Sequence, residues 1–336
     1  MFCLYIGRIY FLYRKIWGTR PRDTGRKEER MKQAVIDIGS NSIRLTLYAI
    51  QEENKFKILF REKIMAGLAG YVERGALTPE GIACAISALL EFKQTLELLE
   101  IRNVAVFATA SLRNINNTVE AVAAIEEGTG FSIEVISGEE EARLGYLGAM
   151  QAMTVTDGVF VDVGGASTEV VTFGGGSIES LCSFSIGSLS LYRSCVKKLL
   201  PGDGSLKRLE QTIRAGMKNT LLDDRWDRMV GVGGTCRAVL KLAKRYFNLP
   251  EEQSSITQAQ MEKLCDFLCQ GDRGALDLIL RTEAERIHTM VPGILILRYI
   301  MEHFDAKELI VCKYGVREGY LCQKILKNIP TPKTEN

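Results

Sequence analysis

Residues 33–50 read QAVIDIGSNSIRLTLYAI, and residues 158–173 read GVFVDVGGASTEVVTF. Each stretch begins with an apolar run that reaches an acid, Asp37 or Asp162. A glycine turn ending in serine follows, and then a second apolar run. Apolar runs bounded by turn residues read as buried strands, so each stretch predicts strand, tight polar turn, strand. The unit occurs twice, at Asp37-Ile38-Gly39-Ser40-Asn41-Ser42 and at Asp162-Val163-Gly164-Gly165-Ala166-Ser167. An internal repeat of this kind predicts two similar α/β domains, with equivalent turns lining one cleft.

Working outward from these turns, the pattern predicts further strands at 56–65, 103–109, 131–136, 178–184 and 308–312. Helical spacing covers 79–100, 117–128, 205–222 and most of 259–300, with Pro292-Gly293 as a break. A last helix is expected from about 316 to 327. Ser137 is an N-cap candidate for SGEEEARLGYLGAMQAM, whose acids stand in the first turn, where the helix dipole favours negative charge. Residues 228–244 (RMVGVGGTCRAVLKLAK) read as strand, glycine turn, helix.

Composition excludes several classes. The chain has 336 residues, 46% of them hydrophobic and 25% charged, which is ordinary for a folded protein and incompatible with disorder throughout. Two histidines, His288 and His303, argue against a histidine zinc cluster and a Ser-His-Asp hydrolase. Nine cysteines without a CxxC pair read as reduced thiols of a cytoplasmic protein. The net charge of +2 combines +5 over residues 1–30 with −3 over the remainder, so no basic scaffold for nucleic acid is present. Residues 1–30 are aromatic but interrupted by Arg8, Arg14 and Lys15, with neither a membrane span nor a signal peptide. They read either as an amphipathic membrane-surface segment or as an extension outside the fold, including one produced by an early start codon.

The turns carry the chemistry. Successive backbone N–H groups at a glycine turn form an anion-binding concavity, and serine and asparagine side chains add donors. Gly39, Ser40, Asn41 and Ser42 would make one phosphate turn, and Gly164, Gly165, Ser167 and Thr168 a second. Gly233, Gly234 and Thr235 open a helix, whose N-terminus also favours anions. Asp37 and Asp162 beside phosphate make sense with a hard cation between them, Mg²⁺ above all. One glutamate of Glu139-Glu140-Glu141 could activate water, and Arg113, just past a strand end, could reach a phosphate.

Seven segments occur in order: AVIDIGSNSIRL, ATASLRN, VISGEEEARLGYLG, VFVDVGGASTEVV, VGVGGTCRAV, ERIHTMVPG and GVREGYL. Together they resemble the Ppx/GppA family, the exopolyphosphatases and guanosine pentaphosphate phosphohydrolases of the actin-like ATPase superfamily. The resemblance implies two ribonuclease H-like domains facing a central cleft, at 31–153 and 154–325, with a C-terminal helix (316–330) packing on the first. It implies Mg²⁺-dependent removal of a terminal phosphate from polyphosphate, or of the 5′ γ-phosphate of guanosine pentaphosphate. Glu140 would position water, and Arg113 would neutralise charge on the transferred phosphoryl group. Asp162 and Glu169, with Asp37, would hold the cation, while Gly233, Gly234 and Thr235 would line the polymer or base end of the cleft. A cytoplasmic enzyme of the stringent response, without nucleic acid or stable membrane insertion, and compatible with a homodimer, completes the expectation.

Ala166 stands where the family more often has glycine, and Cys312-Lys313-Tyr314 and His288-Thr289-Met290 also depart from its pattern. The chain ends shortly after GVREG, which tilts the expectation toward shorter polyphosphates or nucleotides. The competing readings are a non-catalytic regulator that binds guanosine tetra- or pentaphosphate and, further off, a phosphotransferase of the superfamily.

Overall fold

The computed structural model describes residues 31–218, 220–222 and 224–327. The expected extension over 1–30, and the end of the C-terminal helix at 328–330, lie outside the described residues. The chain divides into two compact units between Ile136 and Ser137.

In the first unit, β1 (Lys32–Ile38), β2 (Ile43–Ile50) and β3 (Phe56–Ile64) form an antiparallel meander. A short hairpin, β4 (Val72–Glu73) with β5 (Ala76–Leu77), leads into helix α1 (Pro79–Leu98). Thr78 caps α1 by accepting from the Gly81 N–H at 3.3 Å, and Pro79 occupies the first turn, where no intrahelical N–H is needed. The helix returns the chain to β6 (Val104–Ala108), which runs parallel to β1. The short helix α2 (Ala110–Arg113) and helix α3 (Thr118–Thr129) then lead to β7 (Ile133–Val135), parallel to β6. The sheet order is β3-β2-β1-β6-β7. Leu89, Phe92 and Leu96 of α1 pack with Ile36, Ile38 and Leu45 in one core cluster, and each buried side chain of that size stabilises by about 1.5–3 kcal/mol.

The second unit starts with helix α4 (Gly138–Met150) and repeats the meander as β8 (Gly158–Val163), β9 (Thr168–Gly174) and β10 (Ser177–Phe184). Helices α5 (Ser188–Cys195) and α6 (Asp203–Met217) follow. Next come β11 (Arg228–Val232), helix α7 (Gly233–Phe247), β12 (Ser255–Thr257), and helices α8 (Gln258–Cys269), α9 (Arg273–Glu283) and α10 (Met290–His303). β13 (Glu308–Val311) and helix α11 (Val316–Tyr320) close the fold, with a π-turn at Leu321–Ile325. The sheet order is β10-β9-β8-β11-β13-β12, with β8, β11 and β13 parallel. Apart from the antiparallel edge strand β12, this is the order of the first sheet, the ribonuclease H-like plan.

Three features differ from the sequence pattern. Pro292-Gly293 does not interrupt a helix: both lie in the first turn of α10, and the break falls at 284–289. Proline needs no N–H partner in a first turn, so it marks a start there. Helix α5, short and rich in serine, escapes the periodicity test. Finally, α4 packs with the second unit rather than the first, because Tyr146 meets Phe160 and Phe173 on β8 and β9 at ring separations of 6.4 and 4.9 Å.

Candidate functional site

Both repeated turns close with the same bond. The Gly39 N–H donates to the Ser42 carbonyl at 3.2 Å, and the Gly164 N–H donates to the Ser167 carbonyl at 2.9 Å. In the first unit, the Ser40 and Asn41 carbonyls accept from the N–H groups of Ala69 and Gly67, at 2.9 and 3.0 Å. Asp37, Ser40 and Ser42 are buried, while Gly39 and Asn41 are half-buried. Ser111 Oγ donates to the Ile38 carbonyl at 2.5 Å, which ties α2 to the end of β1. Arg113, at the end of α2, donates from Nη1 to the Ile136 carbonyl at 3.1 Å.

The second turn rests on the first turn of α5. The Ser188 N–H and Oγ donate to the Gly164 carbonyl at 2.9 and 3.0 Å, and the Leu189 and Ser190 N–H groups donate to the Gly165 carbonyl, each at 2.9 Å. A trans peptide directs its C=O and N–H oppositely. Fixing these two carbonyls against α5 therefore turns the Gly165 and Ala166 N–H groups the other way, as anion binding requires. Ala166 is outside the left-handed backbone region, so a methyl group costs nothing conformationally there. Two other expected phosphate ligands direct their hydroxyls to backbone. Thr168 Oγ1 donates to the Ile186 carbonyl at 2.6 Å, and Thr235 Oγ1 donates to the Val163 carbonyl at 2.8 Å.

Asp162 and Glu169 are register partners across β8 and β9, whereas the equivalent partner of Asp37 is Arg44. Glu169 is 1% exposed, and Ser183 Oγ donates to its Oε1 at 2.9 Å. Burial pushes its carboxyl well above the ordinary value, and the charges of Glu141 and Asp162 add to the shift. Gly233 has a left-handed φ of 80°, and a Cβ there would strike Asp162 Oδ1. The third glycine turn thus makes room for the Asp162 carboxylate.

Helix α4 brings the acids of SGEEEAR to this hairpin. Ser137 Oγ accepts from the Glu140 N–H at 3.1 Å, the expected cap. Glu140 itself forms an ion pair with Lys324 of the π-turn at 3.1 Å, while Glu141 is the member that acts electrostatically on Glu169. Glycines allow α11 to seat against α4: a Cβ on Gly319 would strike the Leu144 carbonyl, and one on Gly148 would strike the Gly315 carbonyl.

Among the described residues, no group of three His, Cys, Asp or Glu side chains is arranged to hold a metal ion. Asp162 and Glu169 are hard oxygen donors in register, which fits Mg²⁺ held by one or two carboxylates and completed by phosphate oxygens and water. Among the described residues, no helix is long and apolar enough to cross a membrane.

The model of the Ppx/GppA phosphatase family matches residues 46–328. The chain belongs to that family. It is similar to the Aquifex aeolicus Ppx/GppA family member at 28% identity, covering 90% of this chain and 99% of that one, with a TM-score of 0.72. An exopolyphosphatase from Cytophaga hutchinsonii shares the fold at 22% identity, covering 89% and 99% of the two chains, with a TM-score of 0.77.

Within this Ppx/GppA chain, the tertiary structure adds a group that the sequence reading left without a role. Asp162 acts on both Arg237 and Arg286, and Arg237 also feels the charges of Arg317 and Arg286. Burial lowers the Arg237 guanidinium pKa first, the charge of Arg317 lowers it further, and Asp162 opposes the shift. Arg317 is 8% exposed. All three lie in the segments GGTCR, ERIHTMVPG and GVREG, so the signal was an arginine inside each motif. Only the fold shows that Arg237 and Arg286 both feel the charge of Asp162.

Proposed function

We propose that this family member is a phosphoanhydride hydrolase that removes the terminal phosphate of inorganic polyphosphate or the 5′ γ-phosphate of guanosine pentaphosphate. The observation that carries the reading is the register pair of Asp162 and Glu169 on the hairpin whose turn N–H groups are aimed by α5, with the charge of Glu141 acting on Glu169. Carboxylates beside an anion-binding turn oppose phosphate unless they serve a cation and a water molecule.

In this reading Glu141, rather than Glu140, takes the proton from water as its oxygen attacks the terminal phosphorus. The bridging P–O bond breaks, and the shortened chain departs with the bond's electrons. The Gly165 and Ala166 N–H groups bind phosphate oxygens. Arg286 and Arg317 offset the charge of the transferred group. Asp162 and Glu169 would hold Mg²⁺, which when bound neutralises phosphate oxygens.

Phosphate release in the presence of Mg²⁺ tests the reading, with polyphosphate and guanosine pentaphosphate assayed separately. Release from either supports hydrolysis, and the ratio of the two assigns the substrate. Absence of release from both, with nucleotide still bound, would instead make the protein a regulator.

A further inference from the structure

We propose that the second unit carries a holding site for the body of a linear polyphosphate, a basic patch where α5 ends and α6 begins. The proposal rests on the hydrolase reading above and extends it from the reacting end of the chain to the remainder of the substrate.

Residues 193–218 contain seven Lys/Arg and two acids, a net of +5, inside a body that is −3 over residues 31–336. Both acids are already engaged. Asp203 lies in the first turn of α6, where the helix dipole favours it, and Glu210 accepts from Arg298 Nη2 at 2.9 Å. The cations converge in space as well as in sequence. Arg208 of α6 donates from Nη2 to the Cys195 carbonyl at 2.9 Å, which joins the start of α6 to the end of α5. Tyr192 OH donates to the Lys198 carbonyl at 3.1 Å and folds the segment after α5 back onto that helix. Lys197, Lys198, Lys207 and Arg208 are therefore neighbours, and all four are exposed. Farther along α6, Arg214 lies over the Tyr299 ring at 5.9 Å, which continues the positive charge.

Like charges gathered in excess over acids repel one another, and an anion laid across them relieves that repulsion. The placement of the patch selects the anion. Helix α5 holds the Gly164 and Gly165 carbonyls of the phosphate turn at its N-terminus and ends at the patch. Its eight residues span about 12 Å. The Gly165 and Ala166 N–H groups face away from α5, so a linear phosphate chain held there must round the turn before its following units reach the lysines at the far end of the helix, a span that a short oligophosphate held at the turn cannot cover.

The test is the triple variant Lys197→Glu/Lys198→Glu/Lys207→Glu, with circular dichroism and thermal melting to establish that it folds. Against long-chain polyphosphate, kcat/KM should fall by at least about tenfold, as removal of several phosphate contacts implies, and activity should become less sensitive to salt. Against tripolyphosphate the change should stay within about twofold, since the reacting end is untouched. An equal loss on both substrates, or no loss on the long chain, would overturn the proposal. If the wild-type protein releases no phosphate, the hydrolase reading fails and the patch is read by affinity for fluorescently labelled long-chain polyphosphate. Weaker binding by the triple variant then supports the patch, and unchanged binding overturns it. An effect on a single-stranded oligonucleotide but none on polyphosphate would assign the patch to nucleic acid and likewise overturn it.

Discussion

Glu140 and Lys324 form an ion pair at 3.1 Å that links the first turn of α4 to the π-turn after α11. The pair engages the carboxylate that the sequence motif singled out and leaves Glu141 as the member acting on Glu169. Glu141→Gln should therefore lose at least about 10²-fold in turnover, the low end for a general base, while Glu140→Gln should stay within about tenfold of wild type. Steady-state phosphate release from both variants decides the matter, and the reverse ranking would restore Glu140 as the base.

The raised carboxyl of Glu169 makes stability depend on pH. A group whose folded pKa lies above its unfolded value contributes stability that is present below the unfolded value and lost as pH rises through the folded one. The loss should begin above the ordinary 4.5 and extend upward. Glu169→Gln removes this dependence, so in urea unfolding the variant should gain on wild type between pH 5 and pH 8. A constant difference across that range would refute the assignment.

Divalent cation should act on the same carboxylates. Mg²⁺ should raise the melting temperature of the wild-type protein at pH 8, because a ligand that binds only the folded state stabilises it. Asp162→Asn should abolish most of that increase. An equal rise in both proteins would move the cation site elsewhere.

Gly233→Ala should be costly beyond its size. The left-handed φ of 80° and the encounter with Asp162 Oδ1 both oppose a methyl group. A loss of roughly 1–3 kcal/mol in chemical denaturation is expected for the strained backbone. Phosphate release should fall with it, since Asp162 must shift. Near-wild-type values for both would show that the turn can relax.

Gly319→Ala should separate α11 from α4, because its Cβ would strike the Leu144 carbonyl. Overpacking of this kind costs typically 1–3 kcal/mol. Lower stability together with reduced turnover, at an unchanged ratio of long-chain to short-chain activity, would show that the seam positions Glu141 rather than the substrate.

Much of the architecture was legible in the chain. The Asp37 and Asp162 repeats announced two hairpins, and both sheets grew from them in the same order. Strands and long helices were readable because burial on one face leaves a period in the apolar residues. Helix α5 was not, because Ser188 and Ser190 serve the Gly164 and Gly165 carbonyls rather than a core. That the hydroxyls of Thr168 and Thr235 donate to the carbonyls of Ile186 and Val163 was not legible either, because those partners come from other segments of the fold.

By itself, the sequence determined which residues stand at the strand ends and turns, since these follow from local pattern and glycine conformation. Only the tertiary structure decided which of three adjacent glutamates acts on Glu169, and that Arg237 and Arg286 both feel the charge of Asp162. Side-chain partnership across distant segments depends on how helices such as α4 and α11 seat against each other. That seating is set by packing at Gly148 and Gly319, which no local propensity records.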